Sequence, residues 1–175
     1  MISFRRENDE VLYPNDDKIE FSVSDITTLK DIADRNFRKR VRLCCHRSRN
    51  DLVHEMIIVH AKECYVRPHS HTERDESIYI LEGEADLLIF DNSGEIIQVI
   101  QLGDISSGKT LYKRIPHNTL HTLIIHSTHL VFKEVTQGPF EPTATFFPEW
   151  APPEHADPSD ITTYFDEITA KTMQI

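Results

Sequence analysis

Short apolar stretches, each closed by a turn signal, fill the chain from residue 40 to residue 136. The turn signals include Glu82-Gly83, the run Asp91–Gly94, and Ser127-Thr128. The stretches are too short for helices, and turns spaced about 8–12 residues apart are typical of antiparallel sheets. The run Asp91–Gly94, which lies between two apolar stretches, favours a tight hairpin. We therefore expect an all-β domain built as a sandwich or a barrel.

The two flanks of this strand region have different patterns. In residues 1–39, an N-terminal extension, Ser24-Asp25 offers a helix N-cap and the apolar residues after it recur every three or four positions. That spacing predicts an amphipathic helix. Residues 137–175 are rich in proline and aromatic residues, so we expect a C-terminal arm packed on the barrel, with Ser159-Asp160 capping a last helix. The apolar residues of the first helix are Ile26, Leu29, Ile32, Ala33 and Phe37.

The charge balance limits the classes of partner. Lysine and arginine total 19 against 29 aspartate and glutamate residues, which gives a formal net charge of −10. Nucleic acids and anionic membranes attract basic surfaces, so we expect no nucleic-acid partner and no membrane association. No apolar run approaches the ~20 residues of a membrane span, and the first residues lack a secretory signal pattern. The three cysteines have no pairing pattern, which favours a reducing, cytoplasmic location.

Histidine spacing is the most informative feature for function. In Pro68-His69-Ser70-His71 the two histidines lie two positions apart, so on a strand both rings point to the same face. Residues 72–75 form a polar turn, after which Glu76 returns a carboxylate to that face. A histidine pair alone is weak evidence, because ten histidines supply such pairs by chance. The glutamate at this spacing, followed by Gly83, makes chance a poor explanation.

The same spacing resembles the first motif of the cupin superfamily, in which a glycine follows the glutamate after six residues, as Gly83 does here. A later segment that begins at Pro116 resembles the second motif, with Asn118 in place of the usual glycine. Asparagine tolerates the positive φ that a tight turn requires there. Two positions depart from the motifs, Glu63 and Ile125, and neither is a ligand position. The resemblance implies that the metal ligands are His69, His71, Glu76 and His121.

Over about residues 40–151 the chain is similar to the WbuC-type cupin-fold metalloproteins. This resemblance implies a double-stranded β-helix, or jelly-roll, barrel with one metal ion in its mouth. Members of that family are associated with bacterial surface-polysaccharide gene clusters, so it also implies a role in polysaccharide biosynthesis. The similar stretches are Arg42-Leu43-Cys44, His54-Glu55-Met56, Arg67-Pro68-His69, Gly83-Glu84-Ala85-Asp86 and Gly138-Pro139-Phe140.

Three imidazoles and one carboxylate accept several divalent ions, among them Fe, Mn, Ni and Zn. A six-coordinate ion with these four ligands would keep about two positions open for water or substrate. The first hypothesis is a metal-dependent enzyme that acts on a small polar or anionic, sugar-like metabolite, as an isomerase or epimerase or as a dioxygenase. The second is a non-catalytic module that binds a ligand through the metal or assembles with partners. No cofactor other than the metal is predicted.

Four further residues are predicted near the ligand. Arg67 shares the parity of the two motif histidines, so its guanidinium would face the cavity and bind an anionic group. The alternative is an arginine at the barrel rim that pairs with an acidic residue. Tyr65 has the same parity as Arg67, and His54 lies where the barrel mouth is expected. Proton transfer has no assigned residue, and its candidates are Glu55, His54 and Tyr65.

One motif points to a third function. The run Gly103–Thr110 matches the phosphate-binding P-loop pattern, which would make the chain a nucleotide binder. That chemistry requires a helix directly after the loop within an α/β sheet. Here Leu111–Ile115 has the pattern of a strand, so we expect a connection between two strands and rank nucleotide binding last. Apolar edge strands and the C-terminal arm favour a homodimer.

Overall fold

Apolar residues form strands along most of the chain. One α-helix precedes the strand region that begins at residue 40, and a second α-helix follows it. The computed structural model describes residues 2–16 and 18–172, so the outermost residues of the expected extension and arm lie outside the described residues. The helices are α1 (Val23–Arg35) and α2 (Pro158–Thr172). The strands are β1 (Phe4–Arg6), β2 (Val11–Pro14), β3 (Arg40–Cys44), β4 (Val53–Ala61), β5 (Ser70–His71), β6 (Glu76–Glu82), β7 (Glu84–Phe90), β8 (Ile96–Gly103), β9 (Tyr112–Ile115), β10 (Leu120–Ile125), β11 (His129–Gln137) and β12 (Thr145–Phe146).

Two sheets face each other across the main core. The larger sheet has the strand order β1-β2-β3-β4-β11-β6-β9, and the smaller has the order β10-β7-β8. Strands β2 and β3 run parallel, whereas the other pairs that join these sheets are antiparallel. The inner faces of both sheets contribute to one buried cluster, which includes Ile58, Phe132, Leu87 and Leu123. The short pair β5–β12 lies apart from both sheets.

The two helices cover the outer faces of the sheets. On the larger sheet, Leu29 and Ala33 of α1 are buried with Val41 and Val59 of β3 and β4. On the smaller sheet, α2 packs mainly through Ile168, Tyr164 and Phe165 against β7 and β10. Each helix therefore buries one apolar stripe, as amphipathic spacing requires. No helix in the described ranges is long and apolar enough to cross a membrane.

Both helices begin earlier than the sequence pattern predicts. Ser22, not Ser24, is the N-cap of α1, and Asp25 accepts a hydrogen bond from the Ser22 backbone N–H at 2.9 Å as the third helical residue. The α2 helix begins at Pro158, and the Asp157 carboxylate accepts a hydrogen bond from the Ser159 backbone N–H at 2.9 Å. The expected continuation of α1 to Phe37 is wrong, because the helix ends at Arg35 and Phe37 is 89% exposed.

Turn geometry follows the sequence expectations at two positions. Asn118 has a φ of 58°, which confirms the left-handed turn expected there. Gly83 joins β6 to β7 with a φ of 89°, and a Cβ atom at this position would lie 2.3 Å from the carbonyl oxygen of His129. Only glycine avoids both the backbone strain and that collision.

The run Gly103–Thr110 connects β8 to β9, as expected, and is not followed by a helix within the described sequence. Lys109 in this run forms an ion pair with Glu84 at 2.6 Å. The loop therefore lacks the helix N-terminus that a P-loop uses to hold phosphate, and the nucleotide-binding alternative is wrong.

Candidate metal centre and adjoining cavity

Backbone pairing around β5 sets the positions of the motif histidines, because His69, just before β5, is bridged to β10 and β5 itself pairs with β12. His69 and His121 form a two-way backbone bridge, with N–O distances of 3.1 and 2.9 Å. His71 is in β5, where it pairs with Thr145 of β12. Glu76 is the first residue of β6, after the turn that the sequence predicts. The four side chains thus come from three elements that meet at one end of the cavity.

These side chains converge on the Glu76 carboxylate. One ligand atom each of His69, Glu76 and His121 lies within 4.8 Å of the other two, a group that could hold a metal ion. The His121 Nε2 atom is 2.7 Å from Glu76 Oε1, and the His71 Nε2 atom is 3.1 Å from Glu76 Oε2. Glu76 and His121 are 4% and 3% exposed, so bulk water does not compete for their donor atoms. All four residues predicted as ligands are therefore brought together.

The opposite ring nitrogens are held by hydrogen bonds. Nδ1 of His69 lies 2.9 Å from the Arg67 carbonyl oxygen, and Nδ1 of His121 lies 2.9 Å from the Thr119 carbonyl oxygen. A carbonyl oxygen only accepts, so each Nδ1 carries a proton and Nε2 is the ring nitrogen left to face the cluster. Nδ1 of His71 lies 3.2 Å from the Thr145 hydroxyl oxygen. This is the arrangement in which imidazoles act as metal ligands.

The surroundings favour the protonation states that ligands need at His69 and Glu76, but not at His121. Burial, followed by the neighbouring His121, lowers the pKa of His69 to about 3 and keeps that ring neutral. Burial alone would raise the pKa of Glu76, but His121 and its hydrogen bond hold it well below its usual range. Burial opposes protonation of His121, yet the Glu76 charge outweighs it and raises the pKa of His121. The donor set therefore fits a divalent ion, whose binding would displace a proton from His121.

A cavity of about 240 Å³ adjoins the cluster between the two sheets. Its apolar wall includes Ile78, Leu123 and Phe132. Its polar lining contains four arginines, four histidines besides the cluster residue His121, and three glutamates. These polar residues are Arg40, Arg42, Arg67, Arg74, His54, His60, His69, His71, Glu76, Glu134, Glu154 and Thr136, with Thr145 beside His71. The lining is thus rich in side chains that carry charge.

The four residues predicted near the ligand divide into two groups. Arg67 and His54 line the cavity. Tyr65 does not, because its hydroxyl donates to the Pro152 carbonyl at 2.9 Å and its ring packs against α2. Glu55 does not either, since it is on the outer face of β4 and pairs with Lys133 at 2.7 Å. The parity argument for Tyr65 does not apply because its segment is not a strand.

Five charged residues of the lining lie outside the sequence predictions: Arg40 and Glu154, which pair with each other, and Arg42, Arg74 and Glu134. Arg42 alternates with the buried Val41 and Leu43 in β3, a signal that places it on the opposite, cavity face. Glu134 lies two positions after the buried Phe132 in β11, so its side chain is on the same face of the sheet. The alternation of the strand therefore indicates a cavity residue. Arg74 lies in the β5–β6 turn and carries no periodic signal.

Comparison with known proteins shows the fold. Protein SO0799 from Shewanella oneidensis matches with a TM-score of 0.51 and 14% identity over 64% of this chain and 75% of that one. The capsular polysaccharide assembling protein CapF from Staphylococcus aureus matches with a TM-score of 0.46, 17% identity and 57% of this chain. An oxalate decarboxylase from Lactobacillus farciminis, in a formate complex, matches with a TM-score of 0.44, 16% identity and 55% of this chain. This chain spans 27% of each of the last two proteins.

These structural neighbours are cupin-fold proteins, and the present chain has the cupin fold. In sequence, the model of a domain of unknown function (DUF6016) matches residues 21–102, from just before α1 to the end of β8. A search of the curated proteins finds no match. The class of protein is therefore established at the level of fold, with a His/Glu/His group that could hold a metal ion.

Proposed function

We propose that this protein is a WbuC-type cupin that binds one divalent ion through His69, His71, Glu76 and His121 and acts on a small metabolite in the adjoining cavity. The observation that carries the proposal is the convergence of three histidines on the buried, ionised carboxylate of Glu76. Nε2 of His71 and of His121 lie 3.1 and 2.7 Å from its oxygens, and a ligand atom of His69 lies within 4.8 Å of those of Glu76 and His121. The Nδ1 hydrogen bonds support it because they fix the ring orientation before any ion arrives.

When bound, a divalent ion supplies Lewis acidity that polarises a carbonyl or hydroxyl oxygen of the ligand. The chain's own residues provide the rest of the site. Phe132, Ile78 and Leu123 shield one side of the cavity from water. His54 lies on the cavity wall with its Nε2 atom buried and free of hydrogen bonds to described residues. That nitrogen is therefore available to hold or accept a proton from a bound ligand.

The volume of the cavity supports a small ligand. About 240 Å³ is below the ~300–1,000 Å³ of sites that hold drug-sized molecules. A single sugar-like or acidic metabolite is compatible with that volume, whereas a whole nucleotide sugar is too large. The proposal also includes a role in surface-polysaccharide biosynthesis, which rests on the sequence resemblance. A cytoplasmic location and a homodimer are proposed from the sequence patterns above.

A non-catalytic ligand-binding module is the second candidate. Two of the three residues considered for proton transfer, Glu55 and Tyr65, lie outside the cavity, which leaves His54 as the one of these three that lines it. An enzyme would convert a bound metabolite, while a binding module would return it unchanged. Turnover of α-keto acids and phosphorylated sugars by the metal-loaded protein, followed by mass spectrometry, separates the two candidates.

Metal content tests the proposal directly. We expect one divalent ion per chain in the purified protein, measured by inductively coupled plasma mass spectrometry. Replacing a ligand, as in His121→Ala or Glu76→Gln, should reduce the content at least tenfold, because a donor to the ion is lost. His155→Ala is the matched control, since His155 is exposed and far along the chain from the cluster. Equal metal content in all four proteins would contradict the assignment.

A further inference from the structure

We propose that Arg42, Arg67 and Arg74 form an anion-binding site in this cavity, and that the ligand is a small metabolite with two anionic groups. The inference deepens the proposed function, on which it rests, by naming the substrate class. The evidence for it is independent of the geometry of the metal ligands, because it comes from the ion pairs and hydrogen bonds of the arginines that line the cavity.

One arginine of the lining is neutralised within the protein. Arg40 lies 2.8 Å from a carboxylate oxygen of Glu10 and 2.8 Å from one of Glu154. Arg38 pairs with the same two glutamates, so these four residues balance in charge. In contrast, Arg42, Arg67 and Arg74 have no carboxylate oxygen within 4.0 Å in the described part of the chain.

Two of these three arginines have a buried Nε atom without a hydrogen-bond partner among the described residues. Arg74 is 9% exposed, and its Nε atom has no hydrogen-bond partner among the described residues. The Nε atom of Arg67 is likewise buried and without a partner there. An unsatisfied buried N–H of a charged group is costly, so sites of this kind are usually completed by a ligand.

Aromatic rings hold both guanidinium groups in place. The Arg74 guanidinium lies over the Phe140 ring at 5.2 Å, and that of Arg67 lies over the Phe147 ring at 4.9 Å. The Pro148 carbonyl accepts a further hydrogen bond from Arg67 at 3.2 Å. Stacking of this type uses the ring face and leaves the edge N–H groups free for a planar anion. The site is therefore preorganised, which lowers the entropy lost on binding.

Glu134 is the carboxylate on the wall beside these arginines, and it does not satisfy them. It has no nitrogen of an arginine, lysine or histidine within 4.0 Å in the described ranges. Burial, followed by the charge of Glu76, raises the pKa of Glu134 to about 7, so at neutral pH it carries only part of a negative charge. The three arginines face at most two negative charges, from Glu76 and Glu134, and a divalent ion adds two positive ones.

The positions of the arginines indicate a ligand with two separated anionic groups. Arg74 lies at the metal end, with a guanidinium nitrogen 3.4 Å from Nδ1 of His71. Arg42 lies deeper, in the row of the sheet that contains Ile58 and Phe132. Glu76 pairs instead with Thr136, four residues from Phe132 along β11, which is about 13 Å at 3.3 Å per residue. Arg42 and Arg74 therefore belong to separate rows of the cavity wall, and a ligand with two anionic groups is the kind that would meet both.

Titration calorimetry with three probes tests the site. Succinate has two carboxylates, butyrate has the same number of carbons and one carboxylate, and inorganic phosphate represents the alternative anion. We expect the metal-loaded protein to bind succinate at least tenfold more tightly than butyrate, and more tightly than phosphate, which has a single anionic centre. In Arg42→Gln succinate should bind at least tenfold more weakly, while butyrate affinity and metal content stay unchanged. Arg49→Gln is the control, because Arg49 pairs with Glu7 on the surface.

The outcomes separate this inference from the proposed function. A succinate affinity that depends on Arg42 in chelator-treated protein would support the anion site even if no metal is found. A succinate affinity no greater than that for phosphate or butyrate, or one that is the same in Arg42→Gln and wild type, would overturn it. If Arg42→Gln does not fold, the wild-type melting temperature decides. It should rise more in succinate than in butyrate at equal ionic strength, and no difference would also overturn the inference.

Discussion

Hydrogen bonds to Nδ1 decide which nitrogen each histidine of the cluster presents. For His69 and His121 the acceptor is a backbone carbonyl, so no side-chain substitution removes it. For His71 the partner is the side chain of Thr145, on the short strand that pairs with β5. The orientation of His71 therefore depends on this hydroxyl group and on a longer contact of 3.4 Å from Arg74 to the same nitrogen. A substitution at Thr145 therefore removes a hydrogen bond that orients His71 and leaves all four proposed metal ligands unchanged.

Replacing Thr145 with valine should weaken metal binding by about 10-fold, because the ring of His71 loses the partner that orients it. Valine keeps the shape of the side chain and the strand preference of β12. The affinity is measured by competition with a chromophoric chelator. Thr163→Val is the control, since the Thr163 hydroxyl bonds within α2 to the Ser159 carbonyl. An affinity in Thr145→Val equal to that of the control would contradict the role of the hydroxyl.

At the scale of elements, the short turns fix how the strands meet. Gly83 is the turn between β6, which begins with Glu76, and β7, which pairs with the strand of His121. Its positive φ and its approach to the His129 carbonyl hold β6 against the start of β11. The turn thus connects the sheet that carries Glu76 to the sheet that carries His121.

Gly83→Ala should lower the free energy of unfolding by about 3 kcal/mol, because the new Cβ meets both backbone strain and the His129 carbonyl oxygen. Gly108→Ala is a matched control, since Gly108 has a φ of 71° but no atom within 4 Å of the position of a Cβ. It should lose about 1 kcal/mol from the backbone term alone. Urea unfolding of both variants gives the difference. Equal losses of unfolding free energy in the two variants would contradict a steric cost from the contact with the His129 carbonyl.

Sequence patterns predicted most strands, the four residues that lie together around Glu76, and part of the lining of the cavity. Alternation is a local property, so β4 and β10 were readable from their own residues. The strand that the spacing of His69 and His71 predicts is reduced to the two-residue β5, because Pro68 has no N–H for a ladder. Residues 1–23 carry no clear periodic pattern, and there β2 pairs with β3 across more than 25 residues of chain. Such distant pairing, like the approach of Arg74 to Phe140, has no local signal.

Over the whole molecule, charged contacts join parts of the chain that are far apart in sequence. Glu10 precedes β2, Arg38 follows α1, Arg40 begins β3, and Glu154 lies in the arm after β12. These residues form the mixed network described for Arg40, which closes one side of the cavity. The side chains of Arg40 and Glu154 are 13% and 29% exposed, so water screens them only in part. The arm is therefore held to the larger sheet by charge and to the smaller sheet by apolar packing.

Glu154→Gln should lower the free energy of unfolding by about 1–2 kcal/mol, because Arg38 and Arg40 are then left to share Glu10. Partial exposure of the pair keeps the loss below that of a fully buried ion pair. Glu149→Gln is the control within the same segment, since Glu149 is exposed. Thermal unfolding of the two variants at one pH measures the difference. A loss in Glu149→Gln as large as in Glu154→Gln would contradict the role of the network.

The bond between Arg40 and Glu154, separated by 114 positions, also orders events during synthesis. The last of the four cluster residues, His121, leaves the ribosome well before Glu154 does. At that stage Arg40 has Glu10 but lacks its second carboxylate, and Arg67 and His71 lack Pro148 and Thr145. The nascent chain can thus carry all four donors while the wall and the ring supports of the cavity are incomplete. Assembly of the site is a late step that follows translation of the arm.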